Sequence, residues 1–209
     1  MKNSSIGLFT ELQTRGKGRG DNNWLSKKGD LTCSFLFEKN FSVFDFGKIN
    51  ILVTLIIVKE LSNIFPDLVF KLKWPNDIYL NNKKVGGILI ENSIIKKEIN
   101  YTIIGLGLNL ISNPVVTSYS TTCISKLTKI ISPKIIFKKI FNVLENEMNN
   151  NFLYDFEKKR KEWLNFAKDL GNSIIIKNKK KIIEGTFVSI NSNGELVINS
   201  LGKKKIIKY

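Results

Sequence analysis

The sequence predicts an α/β fold of the α+β kind: helices packed on a mainly antiparallel mixed sheet, followed by a small C-terminal β-barrel. Three observations predict it. Apolar runs separated by turn residues recur through the first 110 positions and read as strands. Helical signals are confined to residues 50–65, a start at Ser132-Pro133 and a stretch over 152–169. At Gly171 the pattern changes to roughly forty residues of short apolar runs and tight turns, the signature of a small barrel. The expected division is therefore 1–169 and 170–209. A chain of 209 residues with 43% hydrophobic content suits one such domain with a small appendage.

The elements follow in order. Residues 6–13 read as a strand running into the loop Thr14 to Asn23. Leu31 to Phe37 is apolar and aromatic enough for a buried strand. Over 50–65 the positions Val53, Ile56, Ile57, Glu60, Leu61 and Ile64 fit a largely buried helix, which Pro66 ends. Leu68 to Leu72 is a strand leading into Trp74-Pro75-Asn76-Asp77. Asp77 to Leu80, Asn81-Asn82 and Lys84 to Glu91 read as strand, turn and strand, and Asn100 to Leu110 as another strand. Ser132 as N-cap and Pro133 in the first turn open a helix, with Ile136, Ile140, Val143 and Leu144 as its stripe. Beyond Gly171 the runs are 174–176, 181–183, 185–190, 196–198 and 205–207.

Composition excludes several chemistries. There is no His among the 209 residues, which removes a Ser–His–Asp triad, a Cys–His pair and a His-ligated metal. Cys33 and Cys123 are far apart and lack ligand-spaced neighbours, so neither a disulfide scaffold nor a zinc site follows. The longest apolar run, Ile49 to Val58, is too short to span a bilayer, and no secretory signal is visible at the N-terminus. Lys and Arg number 33 against 18 Asp and Glu, a formal charge of +15. That surface favours anionic partners, although the density of Lys, Ile and Asn is also what an AT-rich genome produces through codon usage.

Four segments carry chemistry. In Gln13-Thr14-Arg15-Gly16-Lys17-Gly18-Arg19-Gly20-Asp21-Asn22-Asn23-Trp24, glycines let the backbone approach a ligand and free N–H groups cradle anionic oxygens. Lys17 and Arg19 add cations suited to a triphosphate or a carboxylate. Trp24 either covers a base or anchors the loop; a plain basic surface loop is the bland alternative. In Lys71-Leu72-Lys73-Trp74-Pro75-Asn76-Asp77, a Lys at a strand end before Trp-Pro is held rigidly. It would stabilise developing charge with little reorganisation, or simply support the turn. Gly86-Gly87-Ile88-Leu89-Ile90-Glu91 and Ile104-Gly105-Leu106-Gly107-Leu108-Asn109 place glycines inside apolar strands. They mark bulges or sites of close approach.

In this order and spacing the four segments resemble biotin–protein ligases. The similarity is greatest to the holocarboxylase synthetase type, whose loop resembles Gly-Lys-Gly-Arg-Gly-Gly-Asn-x-Trp-Leu-Ser, and Thr121 to Leu127 resembles that type as well. The likeness runs from about Leu8 to the C-terminus. It implies the catalytic-domain fold of that family and ATP-dependent activation of biotin to biotinyl-5'-AMP. Transfer to a lysine of a biotin carboxyl carrier domain would follow, with Mg²⁺ accompanying ATP. It implies biotin contacts from Gln13, Lys17, Gly18, Arg19, Lys73, Gly86 and Gly87, and ATP contacts from Lys17, Arg19, Asn22, Trp24 and Asn109. Catalysis falls to Lys73 and Arg19, with no metal ligand from the chain. The loss of Lys73 is expected to cost tens-fold in rate, taking half of roughly 4 kcal/mol as specific to the transition state.

Two departures stand out. Asp21 replaces a Gly of the family loop. Family members also carry a further strand and helix, with a Ser-Thr biotin contact, before the point matched here, where only Met1 to Ile6 precede. A shortened or incomplete product is the expectation. Alternatives are a lipoate or octanoate ligase, a degenerate inactive member, or a nucleic-acid-binding protein. The last predicts aromatics among the basic residues, and the C-terminal module has only Phe187 and Tyr209. No helix-turn-helix is visible, so no DNA-binding domain is expected, nor a membrane anchor. A cytoplasmic or organellar address and a homodimer are both compatible with the resemblance.

Overall fold

The computed structural model describes residues 4–20, 22–115, 119–178 and 181–208. In chain order the strands and helices are β1 (Ser5–Thr10), β2 (Gly16–Lys17), β3 (Asn23–Trp24), β4 (Leu31–Ser42), α1 (Phe46–Ile64), β5 (Phe70–Lys73), β6 (Asp77–Leu80), β7 (Lys83–Ile95), β8 (Glu98–Leu108), α2 (Pro133–Asn149), α3 (Phe156–Phe166), β9 (Ser173–Asn178), β10 (Lys181–Ile190), β11 (Leu196–Ser200) and β12 (Lys203–Ile207). The main sheet has the order β1-β4-β8-β7-β6-β5, and every pairing in it is antiparallel.

The alternation of each strand sets the two faces of this sheet. Leu31, Phe35 and Phe37 of β4 and Ile104, Leu106 and Leu108 of β8 are buried on the helical side. The opposite face carries Thr32, Ser34, Gly105 and Gly107. Phe35 and Phe37 meet Phe141 of α2 with ring centroids 5.9 and 6.3 Å apart. Such stacking adds about 0.5–1.5 kcal/mol per pair beyond the area buried. Ile136, Ile140, Leu144 and Met148 are the buried stripe of α2. Its spacing was readable in the sequence, except that Val143 is only partly buried. Ser132 occupies the N-cap position but its side chain makes no capping bond.

The central helix α1 is buried on more than one side. It lies against α2, α3 and β5, and Ile49, Ile51, Leu52, Val53, Ile57, Val58 and Leu61 are fully shielded. That is why its apolar residues show no clean period. Its buried polar groups are satisfied: Thr54 Oγ1 donates to Asn50 O at 2.9 Å and accepts from Trp163 Nε1 at 3.0 Å. The second expected helix, over 152–169, is shorter. Asn151 (φ 41°) and Asp155 (φ 53°) adopt left-handed backbone, so α3 begins only at Phe156.

The C-terminal module differs from the barrel expected. It is an open four-stranded sheet, β12-β11-β10-β9, whose outer strands β9 and β12 do not pair with each other. Four short strands do not supply the tilt and stagger that closure demands. The runs 181–183 and 185–190 are one strand, because Gly185 sits where a Cβ would lie 2.5 Å from Asn199 O. The sheet is fastened to the helices by Arg160 Nη1, which donates to Ile190 O, and to the main sheet by Trp74 Nε1, which donates to Gly194 O at 3.3 Å.

Candidate active site

The face of the main sheet opposite the helices is floored by glycine. Gly87, Gly105 and Gly107 line a cleft of about 560 Å³ together with Ser34, Leu89 and Ile103. One wall is the arm between β1 and β4. There Gly16 pairs with Trp24 and Lys17 with Asn23, and Gly18 N–H donates to Asn22 O at 2.8 Å. The basic loop is thus a short hairpin with Arg19 and Gly20 near its tip. Asp21 lies outside the described residues. Trp24 lies on the floor: a Cβ on Gly107 would come within 2.2 Å of its Cε2. The glycine is required by the indole packed on it. Trp24 Nε1 is buried without a hydrogen-bond partner, and such a donor costs about 1–3 kcal/mol until something accepts from it.

The second wall is the segment from Pro75 to Asp77, tied to β7 by Asn76, whose O accepts from Ile88 N–H at 2.9 Å and whose Nδ2 donates to Ile88 O. Lys84 reaches the cleft because of a β-bulge. Asp77 and Ile78 oppose Gly87 and Gly86, but Tyr79 opposes Lys84, so Val85 is an extra residue on β7. In a regular strand through Lys84-Val85-Gly86, Lys84 would share the buried face of Gly86; the bulge instead puts it with Asp77 and Tyr79. Its Nζ lies 2.6 Å from Asp77 Oδ1 and 5.1 Å from the Tyr119 ring centroid. A strap over residues 119–125 holds that position: Lys84 N–H donates to Ser120 O, and Thr122 N–H to Lys84 O, both at 2.9 Å.

Electrostatically the cleft is cationic. Arg15, Lys17, Arg19 and Lys84 line it against the carboxylates of Asp77 and Glu91. Beside it, burial first and then Asp77, Tyr119 and Asp169 push the Tyr79 phenol up to about 12. Burial also pushes the Cys33 thiol well up, which leaves it a poor nucleophile. No group of three or more Cys, Asp or Glu among the described residues is placed to hold a metal.

Gln13, Lys17, Gly18, Arg19, Asn22, Trp24 and Gly87 all line this one cleft. Three residues singled out from sequence do not. Lys73 is exposed at the end of β5, its Nζ 5.9 Å from the Tyr79 ring centroid, and is absent from the cleft wall. A lysine before a rigid turn is held, but the turn holds it outside. Gly86 is buried on the helical side, where a Cβ would meet Gly107 O at 2.9 Å; its smallness serves strand packing. Asn109 is 2% exposed and lies beyond the end of β8. It donates through Nδ2 to Thr122 O at 3.1 Å, while its Oδ1 is buried without a partner. Sequence reasoning passed over Lys84 and Ser34, and gave no role to Asp77 and Glu91, which close two of the segments it singled out. Lys84 had a readable sign in its place two residues before the Gly-Gly pair.

The cleft is thus a glycine-floored sheet face with an indole packed on it and cations along its walls. Residues 2–109 match the model of the biotin/lipoate A/B protein ligase family, and the chain belongs to that family. It is 32% identical over 158 residues to the chloroplastic biotin–protein ligase 1 of Arabidopsis thaliana, covering 71% of this chain and 39% of that one. It is 27% identical over 212 residues to biotin–protein ligase 2 of the same plant, covering 90% and 60%. The chain thus spans between about two and three fifths of the length of these relatives. Among solved structures, the biotin protein ligase of Aquifex aeolicus in complex with biotin and ATP superimposes with a TM-score of 0.79 at 25% identity, over 96% of this chain and 84% of that one.

Proposed function

We propose that this chain is a biotin–protein ligase. The observation that carries the reading is the cleft itself. A slot over Gly105, beside the Trp24 indole that covers Gly107, suits a fused-ring acyl group, and Lys84, Lys17 and Arg19 surround the place where its carboxylate would meet a nucleotide phosphate. The Aquifex aeolicus protein, described with biotin and ATP, supports that choice of ligands.

The chemistry has two steps. A biotin carboxylate oxygen attacks the α-phosphorus of ATP, the bond to the β-phosphate oxygen breaks, and pyrophosphate leaves. The amine of an acceptor lysine on a biotin carboxyl carrier domain then attacks the anhydride carbonyl. An amide forms, the amine loses a proton and AMP departs. No protein nucleophile is required, in keeping with a chain that has no His and whose Cys33 thiol is held protonated. Lys84 is the cation assigned to the carboxylate and α-phosphate, with Lys17 and Arg19 on the phosphates; this is positioning and charge stabilisation. Mg²⁺ would arrive with ATP and neutralise its phosphates. The division at residues 169 and 170, with the catalytic part first, belongs to the same reading. So does an address in the cytoplasm or, as for the chloroplastic relative, in an organelle.

The test is to incubate the chain with ATP, an acceptor domain and either biotin, lipoate or octanoate. Pyrophosphate release and lysine acylation that depend on biotin are expected. Dependence on lipoate or octanoate instead would move the chain to the other branch of its family, and no acylation with any of them would remove the reading.

A further inference from the structure

Asp30 takes no part in the cleft wall, yet its carboxylate is the most heavily solicited acceptor among the described residues. It is 2% exposed. Oδ1 accepts from the N–H groups of Leu110, Ile111 and Ser112 at 3.0, 3.0 and 3.1 Å. Oδ2 accepts from Lys27 N–H at 3.0 Å and from the Ser112 hydroxyl. A carboxylate satisfied by charge-assisted bonds to three successive backbone amides is a rigid joint. The joint connects two segments distant in sequence. One is the turn after Trp24, which runs through Lys27 and Gly29 into β4. The other is the exit of β8, which follows Gly107 and Asn109.

The neighbouring packing tightens the same junction. Gly29 has φ +99°, and a Cβ there would lie 2.4 Å from Ile111 Cδ1, so turn and exit are in direct contact. Ile124 N–H donates to Asn109 O at 3.0 Å and Ser125 N–H to Leu110 O at 2.8 Å, which carries the junction into the strap beside Lys84. We infer that Asp30 is a positioning residue: by clamping the turn after Trp24 to residues 110–112 it fixes the indole over Gly107 and so sets the cleft for its substrates. This rests on the ligase reading for its kinetic consequence, though not for the coupling of the two segments.

The experiment compares wild type, Asp30→Asn and Asp30→Ala by hydrogen exchange, thermal melting and steady-state pyrophosphate release. Asn keeps an acceptor at Oδ1 for the three amides; Ala keeps none. In both variants, more so in Ala, exchange should accelerate tenfold or more at residues 110–112 and also across 16–24, where the β2–β3 ladder carries Trp24. The KM values for biotin and ATP should rise about tenfold in Asn with kcat within threefold, and further in Ala. Acceleration at 110–112 with 16–24 unchanged overturns the proposal. So does a lowered melting temperature with unchanged KM in the folded fraction, because that is a purely structural carboxylate. If Asp30→Ala does not fold, the Asn variant alone decides by the same two criteria. If wild type releases no pyrophosphate with biotin, the ligase reading fails, while exchange still tests the clamp.

Discussion

Replacing Lys84 by Met separates the structure's assignment from the one the sequence suggests. The side chain is 15% exposed and its ammonium lies 2.6 Å from Asp77. Met keeps most of the stem and removes the charge. An anion about 4 Å from that ammonium, at an effective dielectric of about 20, gains roughly 4 kcal/mol. With half of this specific to the transition state, adenylate formation should slow by about 30-fold, at roughly 1.4 kcal/mol per tenfold. The stability effect is smaller. Asp77 is 28% exposed and rehydrates when its partner goes, so a loss of about 1 kcal/mol is expected, or about 2–4 °C in melting temperature for a chain of this size. The comparison is Lys73→Met, exposed and outside the cleft, which should change the rate less than threefold. Biotin-dependent pyrophosphate release at saturating ATP reads both. If Lys73→Met slowed release thirtyfold and Lys84→Met left it intact, the bulge-based assignment would be wrong.

Three further outcomes are expected. Gly107→Ala puts a methyl where the Trp24 indole lies, 2.2 Å from Cε2; it should raise KM for both substrates and cost about 1–3 kcal/mol of stability by overpacking. Equal KM values would show that the indole is free to leave its seat. Trp163→Phe removes the donor to Thr54 Oγ1 in a fully buried site. It should lower the melting temperature by roughly 4–8 °C, from about 2 kcal/mol of lost bonding and packing, with activity per folded molecule unchanged. Tyr79 titrates at about 12 rather than 10.0, so the neutral phenol is favoured by folding. Its contribution is complete below pH 10 and lost as pH rises towards 12. Urea unfolding of wild type and Tyr79→Phe at pH 9, 10 and 11 should therefore show a stability difference that shifts steadily against wild type; a constant difference would refute the shift.

Much of the fold was legible because its strands and helices obey local rules. The breaks at Pro66 and Asn81-Asn82, the Pro133 start and the Ile136, Ile140, Leu144 stripe each have one physical cause within a few residues. What was not legible depended on distant partners. Whether four C-terminal strands close into a barrel depends on strand number and tilt, which no single run records. The length of α3 depends on left-handed backbone at Asn151 and Asp155, residue types that allow that conformation without requiring it.

The site shows the same limit more sharply, because one residue of register decides which face a lysine serves. Lys73 adjoins the Trp-Pro-Asn-Asp turn in sequence and was the lysine singled out, whereas Lys84 lies seven residues beyond Asp77 and was not. Simple alternation back from Gly87, which faces the cleft, would send Lys84 to the other side with Gly86. The structure avoids this by doubling Val85 and Gly86 against Ile78. Val85 is 0% exposed, so its burial fixes the extra residue, and its carbonyl accepts from Asn109 N–H at 2.8 Å. The bulge is therefore held by the same segment that Asp30 clamps. Exchanging the two residues, Lys84→Val with Val85→Lys, keeps every charge in the chain but moves the ammonium to the position that is 0% exposed. It should lose adenylate formation as completely as Lys84→Met does, whereas Val85→Ile, which leaves Lys84 in place, should not. Activity in a folded exchange variant would show that the bulge does not determine whether the cleft receives this ammonium.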